Sequence, residues 1–249
     1  GIHGKFGADW QIGARYLSEM KFKYKNADVE FTQQLTGLTL AGSNPLGFPA
    51  GTPVDGIISA GFAPGQPFSS GQHVSTEIDH PAQLQAGLGY TGFTNTTISV
   101  DYAWVDYSSF KTLDVKFSGP ADAAGLSRVL LEDYNGSNSV RVGVEHSFAA
   151  GFRGRAGFDW ISSPAPDVTV TPLLPDMPRR NYSLGIGLPL GASYTLDASY
   201  LHVDTSGRRG RILERSAGSP EESETAAELN SGFYTLNANV VSLSLKVNF

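Results

Sequence analysis

From Phe6 to Tyr16 the chain alternates with a period of two: Phe6, Ala8, Trp10, Ile12, Ala14 and Tyr16 take one side, and Gly7, Asp9, Gln11, Gly13 and Arg15 take the other. Successive side chains point to opposite faces only in a β-strand, whereas a helix would return its apolar residues every three or four positions. The same text recurs along the chain: Leu84 to Tyr90, Ile98 to Trp104, Val140 to Val144, Ala156 to Trp160, Tyr182 to Leu188, Leu196 to Tyr200, and Val241 to Phe249. The expected fold class is therefore all-β and antiparallel.

Two environments suit such strands: a soluble sandwich with a core behind one face, and a barrel that turns its apolar face to lipid. The polar face here is mostly Gly, Ser, Gln and Asn, and charged residues make up only 17% of the chain. A water-facing sheet would carry more charge. Aromatic residues also gather towards strand ends, at Trp10, Tyr16, Tyr90, Trp104, Phe148, Trp160, Tyr182 and Tyr200. That placement fits the girdles at a membrane's two interfaces. No apolar run approaches the roughly 18 residues of a spanning helix, so any crossing must be made by strands.

Links between strands alternate in length. Short ones are expected at Leu17 to Met20, Thr91 to Asn95, Ala149 to Phe152 and Pro189 to Ser193, and long ones at about 35–72, 118–127, 163–179 and 205–230. Outer-membrane barrels have short periplasmic turns and long outer loops. Eight links join nine strands, the ninth ending in the periplasm at Phe249, so the first should start outside, near Gly1. Bacterial single-chain barrels usually have an even strand number. The expectation is a single β-barrel domain over 1–249, lacking its beginning and forming an open or incompletely closed sheet. The alternating strand Val241 to Phe249 resembles the C-terminal signal read by the barrel assembly machinery, an expected partner.

Three stretches in order, Leu174-Pro175-Asp176-Met177-Pro178-Arg179-Arg180-Asn181-Tyr182-Ser183-Leu184-Gly185, Leu196-Asp197-Ala198-Ser199-Tyr200 and Gly232-Phe233-Tyr234, resemble the FadL/TodX family of outer-membrane transporters for long-chain fatty acids and hydrophobic compounds. Upstream, His80-Pro81-Ala82-Gln83-Leu84 through Tyr90, and Val100-Asp101-Tyr102-Ala103-Trp104 through Phe110, look like the family's paired strands. The resemblance implies a 14-stranded transmembrane barrel plugged by an N-terminal hatch. The nine strands would be its last nine, with the hatch and the first strands absent. It also implies residence in a Gram-negative outer membrane among lipid and lipopolysaccharide.

Within the lumen, Asp9, Arg15, Asp101, Arg141, Glu145, Arg153, Arg155, Asp159, Asp197 and Lys246 are expected on the polar face. Paired charges would stiffen the interior. A cation among them could instead hold a carboxylate head group, because guanidinium offers a planar two-pronged donor. Arg141, Arg153 and Arg155 lie on neighbouring strands and are expected to converge. The 35–72 loop is apolar for an exposed segment, with Leu46, Phe48 and Phe62 as candidate ligand contacts. The 205–230 loop carries Arg208, Arg209, Arg211 and Arg215 before Glu221, Glu222, Glu224 and Glu228, which suits solvent or lipopolysaccharide.

The five histidines have no metal-ligand spacing, no cysteine is present, and no nucleophile elbow or phosphate loop appears. No enzyme activity, cofactor, metal or, at a net charge of -6, nucleic-acid partner is expected. Passive uptake of fatty acids or other hydrophobic small molecules leads, with a general porin and a structural or adhesive barrel as alternatives.

Overall fold

A computed structural model describes residues 1–42, 44–45, 47–170, 175–191, 193–210, 214–216 and 232–247. In chain order the elements are β1 (Ile2–Phe6), β2 (Trp10–Leu17), β3 (Met20–Val29), α1 (Val54–Ala60), β4 (Gln72–His80), β5 (Gln83–Phe93), β6 (Thr96–Val105), β7 (Thr112–Phe117), α2 (Pro120–Ala123) and β8 (Arg128–Leu131). They continue with β9 (Ser137–Ser147), β10 (Arg153–Ile161), β11 (Arg179–Leu190), β12 (Tyr194–Thr205), β13 (Arg208–Gly210), β14 (Glu214–Ser216), β15 (Gly232–Tyr234) and β16 (Asn237–Val247).

Nine of these strands form one open antiparallel sheet in the order β1-β2-β5-β6-β9-β10-β11-β12-β16. The count matches the expectation, although two links lie elsewhere than the alternation implies and the two differences cancel. The text from Phe6 to Tyr16 is not one strand: a turn at residues 7–9 makes β1 and β2 a hairpin, with Phe6 opposite Trp10. Conversely, Leu17 to Met20 is not a turn. Leu17 faces Gln83 and Met20 faces His80, so β2 and β3 climb together beside β4 and β5. Asp9 consequently sits in the hairpin turn rather than on a strand.

The apolar side chains fall into rows across the sheet. Trp10, Tyr90, Ile98, Val144, Ala156, Leu184, Tyr200 and Val241 are successive ladder partners. This face is the more exposed one: Leu84, Leu88, Phe158 and Trp160 are exposed, while Gln83, Gln85, Gly157 and Asp159 opposite are only partly so. A soluble sandwich shows the reverse. An apolar face of this extent is an interaction surface, and lipid is the partner it fits. Rings cluster at the short links, where Trp10 lies 4.6 Å from Tyr90 and Phe148 lies 4.9 Å from Phe152.

The main sheet stops along a common line. Leu17, Gln83, Val105 and Ser137 are its last paired row on β2, β5, β6 and β9. Each of these strands then leaves the ladder and re-enters a second sheet of order β14-β8-β7-β4-β3. Pro81 contributes to the break, since it has no N–H to donate. The sheet above this seam carries Lys21 against Asp79 at 3.2 Å and Lys23 against Glu77 at 2.9 Å.

Candidate functional site

A cleft of about 550 Å³ lies at the seam, on the polar face of the main sheet. Its floor comes from alternate, same-facing positions of the strands, including Gln85, Ala103, Ser139 and Arg141. Its roof is built by chain that leaves the sheet: Tyr107 follows β6, Tyr134 precedes β9, and Pro164 and Pro175 belong to the connection between β10 and β11. Tyr134, Ala165 and Val170 are buried together, with Tyr107, Phe110 and Tyr234 packed on them. This is the hydrophobic core identified among the described residues, and it lies over the cleft rather than behind the sheet.

Arg208 fastens the roof. Its Nε donates to Asp167 at 2.6 Å, and one terminal nitrogen donates to Ser163 Oγ at 2.5 Å and to the Asp176 carbonyl at 3.2 Å. Ser163 in turn donates to the Asp176 carboxylate at 2.7 Å. Glu132 is buried at 3% exposure beside Tyr134. Burial pushes its carboxyl above the ordinary value, and burial also raises the Tyr134 hydroxyl.

Two cations reach the cleft. Arg141 stands 3.6 Å from Asp159, too far for a good hydrogen bond. Asp159 instead accepts from Ser139 at 2.9 Å and Asn181 at 3.1 Å. Arg179 has no carboxylate within 4 Å among the described residues. Arg141 and Arg179 are two strands and two residues apart, on the order of 12 Å between backbones from sheet spacings. Long side chains from both can meet on one small anion. The remaining wall is mixed: Val105, Ile161 and Leu236 are apolar, Gln83, Ser137 and Ser162 are polar, and Asp176 adds a carboxylate.

The three arginines singled out from sequence do not converge. Arg155 donates its Nε to Glu145 at 2.6 Å and a terminal nitrogen to Asp197 at 2.7 Å, which ties it to the adjacent β9 and, across β11, to β12. It sits four residues along β10 from Asp159, the partner of Arg141, about 13 Å away along the strand. The row between them is Gly143 and Gly157. Arg153 lies at the start of β10, opposite Ser147 and Gly187, with no carboxylate within 4 Å among the described residues. Arg179 carries no motif of its own; its odd-numbered place at the start of β11, on the face shared with Asn181, is the signal that identifies it.

The apolar loop divides. Phe62 turns inward, 5.3 Å from Phe68, which lies 5.5 Å from Phe31. Phe48 stays 44% exposed, so the two rings do different jobs. Leu46, the terminal Phe249 and most of the 205–230 loop lie outside the described residues.

A protein-family model described as outer membrane protein transport protein (OMPP1/FadL/TodX) matches residues 1–249. Among solved structures, a Pseudomonas aeruginosa FadL homologue aligns at TM-score 0.68 and 15% identity, over 98% of this chain and 49% of its own. A monoaromatic hydrocarbon channel, CymD, aligns at TM-score 0.48 and 15% identity, over 97% of this chain and 48% of its own. The chain thus spans about half the length of these proteins. No curated protein matches it.

Proposed function

From the premise that the chain belongs to the outer membrane protein transport protein family (OMPP1/FadL/TodX), a family of transport channels and not of enzymes, we propose that it forms wall and mouth of a passive channel for hydrophobic molecules in a Gram-negative outer membrane. The cargo class best supported is a single-headed carboxylate amphiphile such as a fatty acid. The observation that carries this reading is the cleft at the seam, where Arg141 and Arg179 enter a lining of mixed apolar and neutral polar residues whose one carboxylate, Asp176, already accepts from Ser163. A carboxylate between two guanidinium groups gains charge-assisted, two-pronged hydrogen bonds, and its chain loses water against Val105, Ile161 and Leu236.

Arg155 serves structure in this reading, because both its faces are committed to carboxylates. Arg153, near the short-link end and with no carboxylate within 4 Å among the described residues, offers a further cation on the path through the lumen. The single domain is read as part of a longer barrel wall, with lipid and lipopolysaccharide around it and assembly through its C-terminal strand. A general porin is less well supported, since its mouth would be wide and polar where this one is roofed by tyrosine and proline.

Uptake into cells or proteoliposomes carrying the full-length protein tests the proposal. Arg141→Ala with Arg179→Ala should raise the half-saturating concentration for a carboxylate about tenfold or more, the factor for 1.4 kcal/mol, and leave a hydrocarbon of equal length unaffected. Loss of small-sugar permeation with unchanged hydrophobe uptake on gene deletion would show a porin instead.

A further inference from the structure

Positions of the main sheet that share a face with Leu84, Phe158 and Leu184 look outward, towards lipid. Among the described residues of the nine strands, this face carries two formal charges, Arg180 and Asp204, and they are partners on adjacent strands. They belong to a row, Trp160, Arg180, Asp204 and Asn237, that crosses β10, β11, β12 and β16. Three strand spacings make the row about 14 Å wide. It stands near the ends of β10 and β11 from which their long connection leaves, and the rows beyond it along the strands hold Phe158, Tyr182, Leu184 and Val241. Long connections lie on the outer side of such barrels. The row is therefore where the outer leaflet's acyl chains give way to head groups.

The charged pair does not satisfy itself. Arg180 stands 3.8 Å from Asp204, beyond hydrogen-bond reach, and the two side chains are 53% and 41% exposed. In the neighbouring row, Asn239 Oδ1 accepts from the Tyr200 hydroxyl at 2.6 Å and lies 2.9 Å from His202 Nδ1, which leaves its Nδ2 free to donate. We propose that these residues bind the phosphorylated sugar head group of an outer-leaflet lipid.

Each of them suits one part of that head. A guanidinium holds phosphate oxygens through paired, charge-assisted donors. Asp204 accepts from sugar hydroxyls, and the amides of Asn237 and Asn239 donate to them. Trp160, 40% exposed, turns an electron-rich ring face to the sugar's C–H edge. Other lipids use less of the row. An anionic glycerophospholipid meets repulsion from Asp204, and a zwitterionic head spans about one strand spacing, leaving Trp160 and the two amides unused. The inference rests on the outer-membrane part of the channel reading and not on its cargo.

Full-length protein is reconstituted in vesicles of phosphatidylethanolamine and bisphosphorylated lipid A, re-extracted in mild detergent, and its retained lipids are counted by native mass spectrometry. Lipid A should be retained in preference to the phospholipid. Arg180→Gln should lower that retention about tenfold, the factor for one lost charge-assisted contact, and dephosphorylated lipid A should lose as much on the wild-type protein, where no substitution disturbs the fold. Leu184→Ala, on the same face but away from the row, should leave retention unchanged. Equal retention of the two lipids, or full retention by Arg180→Gln, overturns the proposal. A change of oligomeric state in Arg180→Gln with lipid retention intact overturns it too, by naming a second copy as the occupant. Selective retention by a protein that moves no hydrophobe would sink the channel reading and support this one, whereas hydrophobe transport with no preference between the lipids would do the reverse.

Discussion

Arg208 is joined to Asp167 by a 2.6 Å hydrogen bond from a guanidinium only 17% exposed, although the carboxylate it holds is 74% exposed. The pair therefore reaches from the buried interior of the roof to its wet rim. The interior end is also the end that holds Ser163 and the Asp176 carbonyl.

Replacing Arg208 by Ala should free the roof without unfolding the sheet. Hydrogen bonds to a charged group are worth about 1.5–3 kcal/mol, and the solvated partner places this one near 1. Amide exchange across 162–170 should accelerate about fivefold, the factor for that energy, with β10 and β11 unchanged. Acceleration spread evenly over the sheet would show that Arg208 has no local role.

Glu132 should make the roof sensitive to pH. Its folded value is raised above 4.5, so the folded protein binds this proton more tightly than the unfolded chain does. Its contribution is most favourable below the ordinary carboxylate value and is lost as pH rises through the raised one. The facing groups are Tyr134, and Lys111, which donates to Asp133 at 2.9 Å and to the Tyr134 carbonyl at 3.2 Å. Glu132→Gln should flatten the pH dependence of exchange at residues 107–110 and 132–136. A slope of the same size in the variant would assign it to another group.

Val142, between Val100 and Phe158 on the apolar face, should tolerate charge badly. Val142→Arg is expected to cost about 2–4 kcal/mol in a bilayer, the value for a cation at mid-depth on a lipid-facing strand. Gln11→Arg, on the opposite face, should cost little. Denaturant titration in lipid vesicles compares the two, and equal costs would contradict the assignment of faces.

Much of this architecture is written in the period-two text, because lipid accepts only apolar side chains and the ladder leaves them no third direction. The text is silent on turns that preserve parity. Phe6 and Trp10 are four residues apart, so alternation passes straight through the hairpin, and only Gly7, at φ 62°, marks it. Ser18-Glu19 reads as a turn because it is polar, yet its real counterpart is Pro81-Ala82 across the sheet, 62 positions on. The cleft is harder still. Its roof joins Tyr107, Tyr134, Pro164 and Pro175 from separate connections, and no local pattern places them together. Phe48 and Phe62 have similar chemistry in the sequence, yet Phe48 stays exposed while Phe62 packs on Phe68.

The seam also divides the molecule mechanically. Across Ser18-Glu19 and Pro81-Ala82 the ladder between β2–β3 and β4–β5 is interrupted, and neighbouring β6 and β9 lose their pairing at the same level. A bend imposed on the upper sheet is resisted there by backbone torsions rather than by a continuous row of hydrogen bonds. The gap acts as a flexure: the outer part can tilt under drag or adhesion while the lipid-embedded strands keep their register.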